Sequence, residues 1–411
     1  MRALQVPSAD DRAARRRDDR DHRDHREALI ANDAAYVVDV EGGKKDVYFA
    51  VRAFPTYGKL SNRKVEEMRV GARIEANEDK RDPLDFALWK GCAADAWGWD
   101  SPWGKGRPGW HIECSAMSAT HLGHGFDIHT GGMDLIFPHH ENEIAQSEAA
   151  FPKDGPFAQT WIHNGFVNVD KEKMAKSLGN FVTIQDVYAR NDPEALRYFL
   201  LTTHYRGPIA FDTEKSEADG RVVFPGIVEA ERRVDYLYGT LDRLTALSAN
   251  AGEAPTAPVA SYAKIAREAP ARAKAALDDD LNTPVVLGVL ADLAKAGNEL
   301  ADLALKKKKD AAIQAAAPVV AGQLKDAIAS VAGRIGLLST PSDVYAARTR
   351  AQRLSVRKLS AEDIDGRIAA REQARNEKEW AKADAIRAEL TALGVETSDG
   401  ATGTTWRLQA T

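Results

Sequence analysis

Hydrophobic and polar positions follow two different rhythms along the chain, and the change falls near residue 212. Before it, short apolar runs are set apart by glycines and polar turns. Tyr36-Val37-Val38-Asp39-Val40 and Val47-Tyr48-Phe49-Ala50-Val51 flank Gly42-Gly43 and predict a hairpin. Cys114 to Leu122 predicts a helix, and Phe126-Asp127-Ile128-His129-Thr130 a short strand that ends at a glycine pair. His139 to Ala150 is helical again, Trp161 to Val169 reads as a strand, and Asp192-Pro193-Glu194 opens a helix that runs to Leu201. Strands alternating with helices predict an α/β unit built on a parallel sheet.

After Asp212 the period lengthens. Leu281 to Leu303 and Leu324 to Leu338 have helical spacing, and Ala383, Ile386, Leu390 and Leu393 give one apolar face. Asn250 to Ala260 is rich in Ala, Pro and Gly and predicts a linker or exposed loop. The second half therefore reads as a helical bundle with a small terminal module. Residues 9–25 stand apart. They are Asp, Arg and His with almost no apolar content, including Arg15-Arg16-Arg17, and predict a solvated helix or disorder.

Composition narrows the class without naming it. A chain of 411 residues that is 44% hydrophobic and 28% charged has material for two or three domains. No apolar run approaches a membrane span, and no apolar segment follows the N-terminal charges as in a secretory signal. Cys92 and Cys114 are the only cysteines, too few for a disulfide framework, so a reduced cytoplasm is expected. A net charge of -5 argues against a general nucleic-acid coat, although a local basic stripe can still bind RNA.

The chemistry is concentrated in one stretch. Gly109-Trp110-His111-Ile112-Glu113-Cys114 precedes Gly131-Gly132-Met133-Asp134 and Phe137-Pro138-His139-His140-Glu141-Asn142-Glu143. Thiolate, imidazole and carboxylate are the donor types that hold zinc, and a soft thiolate favours that metal. His139 and Glu143 are four apart, so one helix face presents both to a single ion. Gly131-Gly132 follows a predicted strand, at the edge of a parallel sheet where ligands bind, and Asp134 is placed to accept from ribose hydroxyls. Lys173-Met174-Ala175-Lys176-Ser177 is a compact cationic loop suited to a polyphosphate. Together these predict an enzyme that holds a small thiol substrate beside ATP.

These residues resemble the cysteinyl-tRNA synthetases, a family of class I aminoacyl-tRNA synthetases. The similarity also runs through Pro55-Thr56-Tyr57-Gly58-Lys59-Leu60-Ser61, Asp79-Lys80-Arg81-Asp82-Pro83, Phe86-Ala87-Leu88-Trp89-Lys90 and Gly403-Thr404-Thr405-Trp406-Arg407. It implies ATP-dependent activation of L-cysteine and transfer to tRNA(Cys). By resemblance, Cys114, His139 and Glu143 match three of four zinc ligands, and Trp110 lines the cysteine pocket. Lys173, Lys176 and Ser177 match a Lys-Met-Ser-Lys-Ser loop, with Ala175 in place of its first Ser. Lys173 and Lys176 are then the catalytic lysines, and Lys176, Ser177, Gly132 and Asp134 bind ATP, with Mg2+ accompanying it. His140, His111 or water is available as fourth zinc ligand.

The resemblance also sets expectations about organisation. The family opens with a strand, a zinc cysteine and a His-Ile-Gly-His motif, and this chain matches it from after them. The expected fold is a partial Rossmann-like α/β sheet lacking that first half, then a helical bundle and a small C-terminal module. The domains divide as an atypical charged segment 1–25, a catalytic remainder 26–212, a tRNA-binding bundle 213–345 and an anticodon-binding-like module 346–411. His121-Leu122-Gly123-His124 copies the letters of the missing motif, but its helix comes before it and its strand after it, the reverse of what phosphate binding needs. Arg371, Arg375, Lys378, Lys382 and Arg387 recur along one predicted helix near Trp380 as a face for tRNA, although interspersed glutamates make a solvated face the simpler reading. Two other functions fit parts of the pattern. One is a non-catalytic tRNA-binding protein, or one completed by a separate N-terminal polypeptide. The other is a ligase joining cysteine to an amino sugar, as in mycothiol biosynthesis.

Overall fold

The structure is a computed structural model that describes residues 19–67, 79–170, 172–174, 182–215, 220, 222–249, 257–400 and 403–410. The chain divides into two compact units, Ala9–Gly165 and Phe166–Thr411.

The first unit begins with α1 (Asp19–Ala31). Four antiparallel strands follow in the order β1 (Ala35–Val40), β2 (Lys44–Phe49), β3 (Phe86–Gly91) and β4 (Gly106–Pro108). The expected hairpin turns at Gly42 and Gly43, whose φ values of 81° and 68° lie where a side chain is strained. Next come α2 (Trp110–Leu122), β5 (Phe126–Gly132), α3 (Glu141–Ala150) and β6 (Ala158–Asn164). Strands β5 and β6 are parallel and pair Gly131 with His163. Helices α1, α2 and α3 pack on one another, and Leu29, Val47, Phe49, Leu88, Trp89, Ile112 and Ala145 form the core beneath them.

Two expectations change here. The charged block does not stay in solvent to its end. Helix α1 orders residues 19–25, and His25 is buried with its ring edge-on to Phe151 at 4.7 Å. Arg26, the next residue, is buried over the rings of Trp89 and Trp103. Aromatic faces thus supply the apolar partner that the block itself lacks. Residues 9–18 lie outside the described residues. The single strand expected from Trp161 to Val169 is two strands, β6 and β7 (Val167–Val169). The chain turns at Gly165-Phe166, where the Phe166 carbonyl accepts from Ile209 N at 2.8 Å.

The second unit starts with a small sheet. Strand β7 pairs with β8 (Glu172–Lys173) antiparallel and, beyond α4 (Ile184–Tyr188) and α5 (Pro193–Leu201), with β9 (Ile209–Phe211) in parallel. A short pair, β10 (Glu214–Lys215) and β11 (Val222–Val223), leads into the bundle. The bundle helices are α6 (Pro225–Ser248), α7 (Ala260–Asp278), α8 (Thr283–Lys306) and α9 (Ala311–Arg334). Leu244, Ala273, Leu293, Leu300, Val320 and Leu324 meet in its core. Helix α9 starts well before Leu324, because its first turns are alanines that form helix readily but give no polar contrast. The described end of the expected linker is likewise not open loop: Val259 is fully buried against α9 and its neighbours.

Helix α10 (Ser342–Arg357) is held by charge. Arg353 is buried, bonds Glu231 at 2.6 Å and Asp235 at 2.9 Å, and donates to the Leu408 carbonyl. The terminal module is α11 (Ala361–Asn376), α12 (Trp380–Ala392) and the hairpin β12 (Val395–Gly400) with β13 (Gly403–Leu408), closed over Ile364, Ile368, Leu390 and Val395. Among the described residues, no helix is long and apolar enough to cross a membrane.

Candidate metal and nucleotide site

The first turn of α3 is anchored before it does any chemistry. Glu141 is fully buried and accepts from Gly58 N at 2.9 Å and Ser61 N at 2.8 Å. Tyr57 donates to the Asn142 carbonyl oxygen. The Pro55–Ser61 motif therefore acts as a brace, and Gly58 supplies the positive φ of 98° that its turn requires. Braced in this way, α3 holds Glu143, itself fully buried, at a fixed place.

Three donors converge there. One ligand atom each from Cys114, His139 and Glu143 lies within 4.8 Å of the other two. Cys114 comes from the second turn of α2, and His139 from the π-type turn Ile136–His140 that runs into α3. Glu143 Oε1 has no hydrogen-bond partner; it stands 3.3 Å from His139 Nε2 without the alignment of a bond. A buried carboxylate oxygen left over beside a thiol and an imidazole is what a cation would complete, so the donor set fits zinc.

Histidines surround this group. His111 Nδ1 and His139 Nδ1 are 2.8 Å apart, which leaves Nε2 of His139 facing Glu143. His129 Nε2 meets Glu143 Oε2 at 2.9 Å, and His140 Nδ1 meets His163 Nε2 at 2.8 Å. His129, His140 and Glu143 form a second convergent set that shares the same carboxylate. Burial pushes His111 down to about 4, with His139 adding to the effect. Burial likewise pushes His140 down to about 4. Both imidazoles are neutral at pH 7. Burial alone would raise Glu143, but His129 and His139 beside it outweigh that and hold its carboxyl at about 2.

Trp110 is not a core aromatic. It is 61% exposed at the start of α2, and its ring stacks on His139 at 4.7 Å. Its ring therefore covers one face of the His139 imidazole. Gly132 ends β5, and a Cβ there would meet Asp134 Oδ1 at 2.6 Å. A Cβ on Gly131 would meet His140 Cε1 at 2.6 Å. The glycine pair thus lets a carboxylate and an imidazole close against bare backbone.

The other expected residues fall elsewhere. The backbone of Lys173 lies in β8, in the second unit, while Lys176 and Ser177 lie outside the described residues. Cys92 belongs to neither donor set; its sulfur packs 3.9 Å from the Trp97 carbonyl. His121-Leu122-Gly123-His124 sits at the C-terminal end of α2, ahead of β5, and not at a helix N-terminus. On the C-terminal module the expected single basic helix is two, broken at Lys378, whose φ is 63°; Arg371 and Arg375 on α11 bind Asp399, and Lys382 on α12 binds Glu379. His129 and His163 were not singled out from sequence. Each is the single histidine on its strand of the parallel β5–β6 pair, so neither strand carried a local signal.

Comparison with known proteins matches most of the chain. The family described as tRNA synthetases class I (C) catalytic domain matches residues 1–219, the DALR domain residues 272–339, and the cysteinyl-tRNA ligase anticodon binding domain residues 361–407. A cysteine–tRNA ligase of Anaeromyxobacter sp. (strain K) is 47% identical over 371 residues, which cover 89% of this chain and 71% of that protein. One from Geobacter sulfurreducens is 44% identical over 383 residues, covering 93% and 74%. Mycobacterium tuberculosis methionyl-tRNA synthetase in complex with methionyl-adenylate is similar in fold, with a TM-score of 0.57 at 17% identity over 84% of this chain and 78% of that one.

Proposed function

The chain belongs to the cysteine–tRNA ligase family of class I aminoacyl-tRNA synthetases, and from that premise we propose how its residues serve the reaction. The family reaction is ATP-dependent activation of cysteine followed by transfer to tRNA. The cysteine carboxylate attacks the α-phosphorus of ATP and pyrophosphate leaves. A ribose hydroxyl at the tRNA 3′ end then attacks the adenylate carbonyl, and AMP leaves. The protein aligns these groups and stabilises charge, with no general base required.

In this reading Cys114, His139 and Glu143 hold one zinc. When bound, the metal supplies a soft Lewis acid that prefers the thiolate of cysteine to the hydroxyl of serine. Trp110 packs against the bound amino acid, and His111 fixes the ring of His139 through their Nδ1 contact. Gly132 gives the nucleotide close backbone approach, and Asp134 accepts from its ribose. Lys173, Lys176 and Ser177 bind the triphosphate, whose Mg2+ shares the charge, and the two lysines stabilise departing pyrophosphate. The bundle 213–345 and module 346–411 receive tRNA(Cys), segment 26–212 carries activation, and the enzyme works in the cytoplasm. The matches to both helical and anticodon-binding regions favour tRNA over an amino sugar as acceptor. Nothing among the comparisons supports a separate N-terminal polypeptide as partner.

One observation carries the assignment of the site: the ligand atoms of Cys114, His139 and Glu143 converge within 4.8 Å. Cysteine-dependent pyrophosphate exchange by the purified chain, with serine as control, tests it. Exchange with cysteine and not serine is expected. Equal exchange with both amino acids contradicts it.

A further inference from the structure

The α8–α9 turn carries four consecutive lysines, Lys306, Lys307, Lys308 and Lys309, all exposed. None of them makes an ion pair within 4.0 Å among the described residues. The acids on either side are already engaged. Asp302, one turn before Lys306, takes the guanidinium of Arg243. Asp310 caps α9, and its Oδ1 accepts from Ala312 N at 3.1 Å and Ile313 N at 3.2 Å. Four like charges on adjacent residues repel, and the α8 dipole offsets that only for the last turn, which holds Lys306 and borders Lys307. Lys308 and Lys309 gain nothing from it.

The turn that presents them is firmly built. Gln314 Nε2 donates to the Ala304 and Lys307 carbonyls, Asp310 N donates to Lys307 O, and Lys307 N to Leu303 O. The turn that carries the lysines is therefore tied down at Lys307 and Asp310, and it groups four cations on a chain whose net charge is -5. A concentrated cationic patch on an otherwise acidic protein suits a polyanion with regularly spaced charges.

We propose that Lys306–Lys309 form a contact for the phosphate backbone of tRNA at the end of the bundle. This rests on the reading that the chain takes tRNA as its substrate. The lysines meet phosphates and not bases, so the contact adds affinity without sequence preference. It takes no part in cysteine activation.

The test is a quadruple Lys→Gln variant of the full chain, with a quadruple Lys→Arg variant as its control. Binding of tRNA(Cys) and of a non-cognate tRNA is measured by filter retention across a salt series, beside cysteine-dependent pyrophosphate exchange. The Gln variant should bind both tRNAs about a hundredfold more weakly at low salt, with the slope of log K against log salt reduced by about 2. The Arg variant should match wild type, and exchange should be unchanged in both. A Gln variant with wild-type affinity and slope overturns the patch alone. So does a Gln variant that keeps both tRNA affinities but loses retention on immobilised heparin, run alongside, because the partner is then not tRNA. A wild-type chain that exchanges pyrophosphate but binds no tRNA overturns the patch and the acceptor reading together.

Discussion

His111 and His139 face each other Nδ1 to Nδ1 at 2.8 Å, although they are 28 residues apart and come from different helical segments. One ring donates to the other across this contact, and Nε2 of His139 is left turned towards Glu143. Replacing His111 by Ala removes that support while keeping Cys114, His139 and Glu143. Zinc affinity should fall about 10- to 100-fold, as measured by competition with a chelating dye. Unchanged affinity would mean that His139 is oriented by something else.

Gly131 lies directly under His140. A methyl group there would meet the imidazole at 2.6 Å, and the ring is held on its other side by His163. Gly131→Ala should cost about 1–3 kcal/mol in urea unfolding, the range for overpacking a closed interior. A variant as stable as wild type would show that His140 moves freely.

Glu141 is structural. It accepts two backbone N–H groups from the Gly58–Ser61 turn and is fully buried. Glu141→Ala strands both donors and should cost about 2–6 kcal/mol, at about 1–3 kcal/mol per unsatisfied group. Thermal unfolding reads the loss, and limited proteolysis should find new cleavage at residues 57–61.

Arg353 pairs with Glu231, and both are buried. Removing only the cation in Arg353→Met leaves a buried carboxylate without its counter-ion and should cost about 3–5 kcal/mol. The double variant with Glu231→Gln should recover much of that. If it is no better than the single variant, the pair is not the source of the loss.

Asp280 gives a pH signature. Hydrogen bonds from Arg206 and Tyr205 hold its carboxyl down at about 2, against an ordinary value of 3.8. A lowered carboxylate favours folding above its unfolded value, and that contribution is lost as pH falls through the folded value. Stability of the wild type should therefore drop between about pH 4 and pH 2 more steeply than that of Asp280→Asn. Parallel curves for the two proteins would place the acid sensitivity elsewhere.

The readable parts of this chain were those in which pattern and packing agree. The hairpin at Gly42-Gly43, the 139/143 spacing and the helices after residue 212 follow from local period and turn chemistry. The site was legible as a set of donor types, because Cys114, His139 and Glu143 sit inside dense motifs. The histidine shell was not, since the His140–His163 and His111–His139 contacts join distant segments and have no local signature. The burial of His25 and Arg26 was equally hidden: it depends on Phe151, Trp89 and Trp103, which reach α1 only in the folded unit. The start of α9 was missed because alanine fits a helix without marking a face.

The most direct measurement is the zinc content of the purified full chain beside its Cys114→Ser variant, by elemental analysis after dialysis against a weak chelator. The wild type should retain about one zinc per chain, and the variant should lose it. Equal zinc in the two proteins would contradict the thiol-recognising metal site on which the account rests.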